Sequence, residues 1–237
     1  MGMSDINELF DKARALCEQK RYAPAYELYG HACNVQPDSA IAWCNRGGVA
    51  FLMNRHAEAE THYHRARELD PTLEEAVYGL IRLHLARREW TEARDLLNEH
   101  RPPKDRVPQA EWQYLMGVAC EKLGENEAAM AAYHAAVTRR HAPAQRVLLR
   151  LLLQRKQFTE ALDLCFAMLP DAKKRWRIVH TCLRASEGDA SVYDRAAQLY
   201  LASLQWAYAA RVAAHAHRVF PDIDRSAYPA LKESTWF

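Results

Sequence analysis

The sequence predicts an all-α chain, a solenoid of antiparallel helix pairs. Three observations carry this reading. Small, apolar and aromatic residues recur in a 34-residue window that restarts without a gap, the signature of stacked repeats. Prolines close the window, where a helix must stop because the ring fixes φ and removes the N–H. The 237 residues are 49% apolar with only 8 Gly and 10 Pro, enough to bury several hairpins and unlike a disordered chain.

Residues 40–73 show the pattern most clearly. Trp43, Gly47, Ala59, Tyr63, Ala66, Leu69 and Pro71 stand at offsets 4, 8, 20, 24, 27, 30 and 32 of the window. The spacing predicts helix A over about 41–53 and helix B over about 57–69, with Tyr63 and Leu69 on the inward face. Gly47 and Ala59 are small where the two helices must approach. One such hairpin cannot bury its apolar side alone, so it needs neighbours. The arrangement resembles the tetratricopeptide repeat (TPR) family, whose pattern is a large apolar residue, a small one at the helix contact, an aromatic and a closing proline. The resemblance implies a right-handed superhelix whose A helices form a concave wall that binds an extended peptide or a partner's helix.

The same template fits residues 6–39 through Leu9, Ala13, Leu16, Tyr22, Ala25, Tyr29, Ala32, Val35 and Pro37. Residues 74–109 keep the register with Val77, Leu80, Trp90, Ala93 and Leu97, but Ile81 replaces the small residue and His100 the last alanine. Arg101, Pro102 and Pro103 stop this repeat, and a loop is expected to run on through Pro108. Residues 110–141 recover the pattern with Gly117, Leu123, Gly124, Ala129, Tyr133 and Ala136, Gly124 marking the turn. Pro143 ends this repeat or opens the next helix. Residues 142–171 hold an apolar face through Leu148, Leu149, Leu152, Phe158, Ala161, Cys165 and Met168, closed by Pro170.

Residues 172–223 form a degenerate stretch that fits two frames. In one, Ala190 to Asp222 is a repeat carried by Tyr193, Ala197, Tyr200, Trp206, Ala209, Ala213, Ala216, Val219 and Pro221. That leaves 172–187 as an odd helix, which would reverse every helix after it. In the other, 172–187 pairs with 190–203 across Gly188 and Asp189, and 205–219 pairs with a short helix starting near Pro229. The second frame is preferred because it leaves no odd helix. In total about six repeats are expected, followed by a C-terminal cap or tail over 224–237, ending in Trp236 and Phe237.

Catalytic motifs are missing from the sequence. There is no Gly-rich phosphate loop, no H-E-x-x-H and no nucleophile elbow, so neither an enzyme nor a cofactor is expected. Cys17, Cys33, Cys44, Cys120, Cys165 and Cys182 include no C-x-x-C pair and read as buried thiols in a reducing compartment. His62 with His64 and His215 with His217 are two apart, which places them about 200° apart around a helix, so no metal site is expected from either pair. These imidazoles, with His56, read as surface or groove-edge groups. No charged-then-apolar leader and no run of membrane-spanning length are seen, and a cytoplasmic location with no membrane partner is expected.

Charge is uneven. Residues 139–184 hold 11 Lys or Arg against three carboxylates, a net of +8 in a chain of +2 overall. Lys173, Arg177, His180 and Arg184 recur at helical spacing as a basic stripe beside Trp176, Val179 and Leu183, either a solvated face or a surface for an acidic partner. Nucleic acid ranks below protein as a partner, since a pI near 8.2 falls short of a typical nucleic-acid domain. Self-association is left open.

The resemblance also places the ligand surface. Offsets 2, 5, 9 and 12 of helix A face the concave wall in the family, which gives Phe10 and Arg14, Cys44 and Phe51, Tyr78 and Arg82, Tyr114 and Val118, and Arg146 and Arg150. Aromatic faces interleaved with guanidinium groups suit an extended segment with apolar anchors and Asp or Glu between them. Relatives that grip the acidic tails of heat-shock chaperones use Lys, Asn and Arg at places held here by Phe10, Arg14, Asn45, Glu75 and Gly79. Only Asn45 matches, so that carboxylate clamp is absent. The resemblance thus implies a protein-interaction module acting as adaptor, scaffold or chaperone. The alternative is a regulatory or N-terminal module of an enzyme.

The register makes one packing prediction. Ala59→Leu overpacks the helix contact and should cost on the order of 1–3 kcal/mol. Thermal melting checks it, and a variant that melts like the parent would contradict the offsets.

Overall fold

A computed structural model describes residues 3–100, 106–186, 188–222 and 228–230. Among them it forms thirteen α-helices and no strand. In chain order these are α1 (Met3–Glu18), α2 (Tyr22–Val35), α3 (Ala40–Leu52), α4 (His56–Leu69), α5 (Glu74–Arg87), α6 (Trp90–Glu99) and α7 (Arg106–Leu123). They continue with α8 (Asn126–Val137), α9 (Ala142–Gln154), α10 (Phe158–Met168), α11 (Ala172–Ala185), α12 (Ala190–Ala202) and α13 (Trp206–Val219). Two compact units divide between Ala132 and Tyr133.

The hairpin turns show why the helices pair as they do. Lys20, Asn54, Arg88, Gly124, Lys156 and Leu204 all have positive φ, between 55° and 79°. Each stands at offset 15 of its repeat. The next residue's N–H reaches back to the carbonyl five residues earlier, as in Arg21 to Leu16, Arg55 to Ala50, Glu89 to His84, Glu125 to Cys120, Gln157 to Leu152 and Gln205 to Tyr200, at 2.8–2.9 Å. A left-handed residue with this bond ends a helix in a Schellman turn, and helix B starts at once. The short turn makes the two helices antiparallel.

In the first unit α1 packs on α2 and α3 on α4, and each pair packs on the next through α2 on α3, α4 on α5 and α6 on α7. Tyr63 is the joint. It is 5% exposed, and a Cβ built on Gly47 of α3 would lie 3.0 Å from its ring, one built on Gly79 of α5 only 2.3 Å. Both helices touch the ring with bare backbone. Ile81, in place of the small residue, is fully buried beside Leu97, Val77, Trp112 and Leu115. The expected loop through Pro108 is shorter, because α7 opens at Arg106 and takes Pro108 into its first turn, where the missing N–H breaks no bond. Arg101 to Pro103 lie outside the described residues.

In the second unit α9 packs on α10, and α10 meets both α11 and α12. Pro143 opens α9, at whose N-terminus the His141 side chain accepts from the Ala144 N–H. The preferred pairing after residue 171 is corrected. The tight hairpin is α12 with α13, its left-handed turn at Leu204, so the repeat begins at Ala190. The α11–α12 connection has no such turn; Gly188 sits there at φ 95° and Asp189 caps α12 by accepting from the Ser191 N–H. Helix α11 is therefore the odd helix, inserted between two repeats. Its Arg175, counted in the basic stretch, is 6% exposed, with its guanidinium 4.9 Å from the Phe166 ring centroid. Trp176, Tyr200 and Tyr208 surround this region, the last two stacked at 5.2 Å. Beyond Ala230 the cap, Trp236 and Phe237 lie outside the described residues.

Two outcomes follow. Leu204 is a 73% exposed leucine held at φ 55°, a conformation Asn tolerates better. Leu204→Asn should therefore stabilise by about 0.5–1 kcal/mol, seen as a raised Tm. Five cysteines are buried, and burial pushes the thiols of Cys44 and Cys182 up to about 12 and those of Cys120 and Cys165 up to about 11, with Cys33 and Cys17 also raised. At pH 8 all are protonated, so an aromatic disulfide reagent should label the native chain slowly and at Cys17 first, the rest only on denaturation. Rapid labelling of several thiols in the native state would contradict this core.

Candidate functional site

Helices α3, α5 and α7 bring part of the expected wall together in the first unit. The exposed Arg82 of α5 places its guanidinium 5.1 Å from the Phe51 ring centroid of α3 and 5.9 Å from that of Tyr78. At such distances a cation meets the negative face of a ring. Phe51 is half-buried, its other neighbour being His56 at 5.8 Å. Tyr78 donates to the Glu111 carboxylate of α7, and burial first, then that charge, push its phenol up to about 12. It stays a neutral donor. Tyr114 and Val118 continue along α7, both half-buried.

Phe51, Arg82, Tyr78 and Glu111 thus form one ridge across three A helices. Arg82 carries no ion pair among the described residues. Its charge is held in place by two rings and left open to an incoming carboxylate, which a guanidinium can grip with two N–H groups.

Other wall positions fare differently. Cys44 is buried, 8% exposed, in the core around Tyr63, and burial first, then Glu75, raises its thiol. Its assignment to the wall is corrected. Offset 5 lies one residue from the inward offset 4, so a small side chain there turns into the core. Phe10 is half-buried with its ring 5.8 Å from Tyr29 and serves the core as much as the surface. Arg14 is exposed, 3.9 Å from an equally exposed Asp11, a pair worth little. Arg146 and Arg150 are exposed on α9 in the second unit.

On α11, Lys173, Arg177 and Arg184 are exposed as the stripe requires. His180 is half-buried and leaves the stripe, its ring centroid 6.0 Å from Trp176 and 6.0 Å from His215 of α13.

One polar cluster escaped the sequence reading. The Tyr26 hydroxyl is 2.7 Å from the Glu58 carboxylate, to which it donates, and 2.9 Å from His62 Nε2. Arg46 lies 4.6 Å over the Tyr26 ring. His62 is buried, 8% exposed, so its reading as a surface or groove-edge group is corrected. Burial first, then Arg46, hold its imidazole below the ordinary range. The available signal was Gly30, where an added Cβ would lie 3.3 Å from the Arg46 guanidinium. Among the described residues no group of three or more His, Cys, Asp or Glu could hold a metal ion, and no helix is long and apolar enough to cross a membrane.

Comparisons with known proteins agree with this architecture. Family models described as tetratricopeptide repeat match residues 10–74, 50–119 and 110–140. Protein O-mannosyl-transferase TMTC1 of Mus musculus is 34% identical over 91 residues, 38% of this chain and 10% of that protein, and the Homo sapiens protein is 33% identical over 91 residues with the same coverage. The match therefore spans about a tenth of the length of these relatives. Among solved structures, PilF of Pseudomonas aeruginosa superposes with a TM-score of 0.61 at 12% identity, over 98% of this chain and 96% of that one. PilW, a widely conserved type IV pilus biogenesis factor, gives 0.61 at 14%, over 99% and 100%. At these identities the likeness to solved structures is one of fold.

Proposed function

The chain belongs to the tetratricopeptide repeat family, and from that premise we propose that it is a non-catalytic protein-interaction module whose first unit binds an extended or helical segment bearing apolar and acidic residues. One observation carries this reading. Arg82, which has no ion pair among the described residues, stands over the rings of Phe51 and Tyr78, a combination that can stack on an apolar side chain and bind its acidic neighbour in one place. Charge complementarity of this kind sets specificity and association rate. The partner is a protein, and the role is that of an adaptor, scaffold or chaperone. Six free cysteines favour a reducing compartment, the cytoplasm, as the place of work.

The match to the O-mannosyl-transferase over 91 residues favours a second reading, in which these repeats serve as the interaction module of a larger enzyme. Transcript sequencing across the gene separates the two.

The test changes charge without touching the core. Arg82→Glu should leave helicity and Tm unchanged while weakening partner binding by on the order of 2 kcal/mol, as a hot-spot residue would. Quantitative mass spectrometry of proteins retained by the parent and by the variant reads this out. Equal retention of the same partners would move the ligand site off this ridge.

A further inference from the structure

Helix α11 interrupts the repeat register, and it forms one side of a cavity. Between α11, α12 and α13 lies an open cavity of about 430 Å³ lined by His180, Leu183, Arg184, Tyr193, His215 and Val219. Leu183 and Tyr193 are 1% exposed and make an apolar floor. The His180 and His215 rings meet edge to face with centroids 6.0 Å apart, and His215 is 5.6 Å from the Tyr193 ring. Arg184 has no ion pair among the described residues. None of the described lining side chains is a carboxylate.

Among the described residues lining the cavity, the Arg184 guanidinium therefore meets no carboxylate. Lys173 and Arg177 lie on the same face of α11 as Arg184, which lengthens the basic path leading to the cavity. A small ion would need only the cavity; an apolar floor with a basic approach suits a chain. We propose that this cavity binds the anionic side chain of an extended protein segment, seating an apolar neighbour on Leu183, Tyr193 and Val219. The site lies in the second unit and does not depend on the ridge around Arg82. A carboxylate and a phosphate monoester share the required chemistry, and both belong to the same kind of partner.

The cavity also couples binding to protons. His215 faces His180 and Arg184 from α11, Tyr193 from α12 and Arg218 on its own helix. Burial first, then Arg218 and His180, hold it below the ordinary imidazole range. Low pH therefore adds a cation to the cavity that the protein alone disfavours. An anion in the cavity stabilises that cation, so binding takes up a proton and tightens as pH falls.

Histidine-labelled full chain, titrated by NMR, tests this with three blocked peptides that alternate leucine with glutamate, with phosphoserine or with glutamine. The glutamate and phosphoserine peptides should shift the His180 and His215 ring signals saturably and leave the exposed His64 in place, and the glutamate peptide, ionised throughout this range, should bind severalfold tighter at pH 6 than at pH 8. Saturation by one anionic peptide alone supports the site and assigns its ligand to carboxylate or phosphate. Arg184→Glu should weaken this binding about tenfold or more at unchanged Tm. Equal binding of the glutamine peptide, shifts that spare both imidazoles, an affinity indifferent to pH, or an unaffected Arg184→Glu variant would each overturn the proposal.

Discussion

The approach of helix B to helix A at offset 20 sets everything else in this chain. Ala25, Ala59, Ala93, Ala129, Ala161 and Ala209 hold that place in all six repeats, and none is more than 1% exposed. A larger side chain would push the hairpin apart, because interiors are packed too densely to absorb it. The partner constraint is the left-handed turn at offset 15, which delivers helix B onto helix A. With contact and turn both fixed, the residue at offset 24 must be buried too. Tyr29, Tyr63, Leu97, Tyr133, Cys165 and Ala213 all are, at 6% exposure or less, although their sizes differ widely.

Because alanine and a hydrophobic period are visible in a sequence, the helices and their register were readable from residue types. Helices α3 and α4 start one residue before the expected positions. The turns were not readable in the same way. Gly124 and Asn54 favour positive φ and advertise it, whereas Lys20, Arg88, Lys156 and Leu204 carry no such signal. They adopt the conformation because packing on either side demands it. That is why the last repeat was misframed: its turn rests on a leucine, while Gly188 at the α11–α12 connection looks like the better turn. Local propensity pointed one way and tertiary packing decided the other.

The candidate site was less legible for a related reason. An offset assigns a residue to a face, but whether the face is open depends on what the neighbouring helix sends back. Phe51, Tyr78 and Arg82 were all expected on one wall, and the structure brings the Arg82 guanidinium near both rings, but both rings are half-buried and Glu111 was not among the expected residues. Cys44 holds the same offset as Tyr78 and is closed over by Tyr63. Gly79 was weighed only as a missing ligand-binding residue, whereas it is bare so that Tyr63 can reach α5. Glycine in a helix costs about 1 kcal/mol relative to alanine, and the ring it admits ties α3, α4 and α5 into one core.

Insertion of α11 follows from the same economy of local contacts. The left-handed hairpin turns at offset 15, at residues 20, 54, 88, 124 and 156, are 34, 34, 36 and 32 residues apart, and the next of this kind, at 204, comes 48 later. That last interval is one repeat of 34 plus 14, the length of α11. Each repeat in such an array touches chiefly its neighbours, so an extra helix disturbs one junction and leaves the hairpins on either side intact. Helix α10 accepts the insertion by packing on both α11 and α12. The cost falls on α11, which has no hairpin partner of its own and must bury Arg175 along with Val179, Cys182 and Leu183. A buried guanidinium against an aromatic ring is an expensive way to complete a core when an aliphatic residue would serve. What the insertion adds is an outward face with four exposed cations, Lys173, Lys174, Arg177 and Arg184, and an imidazole, His180, that meets His215 of α13.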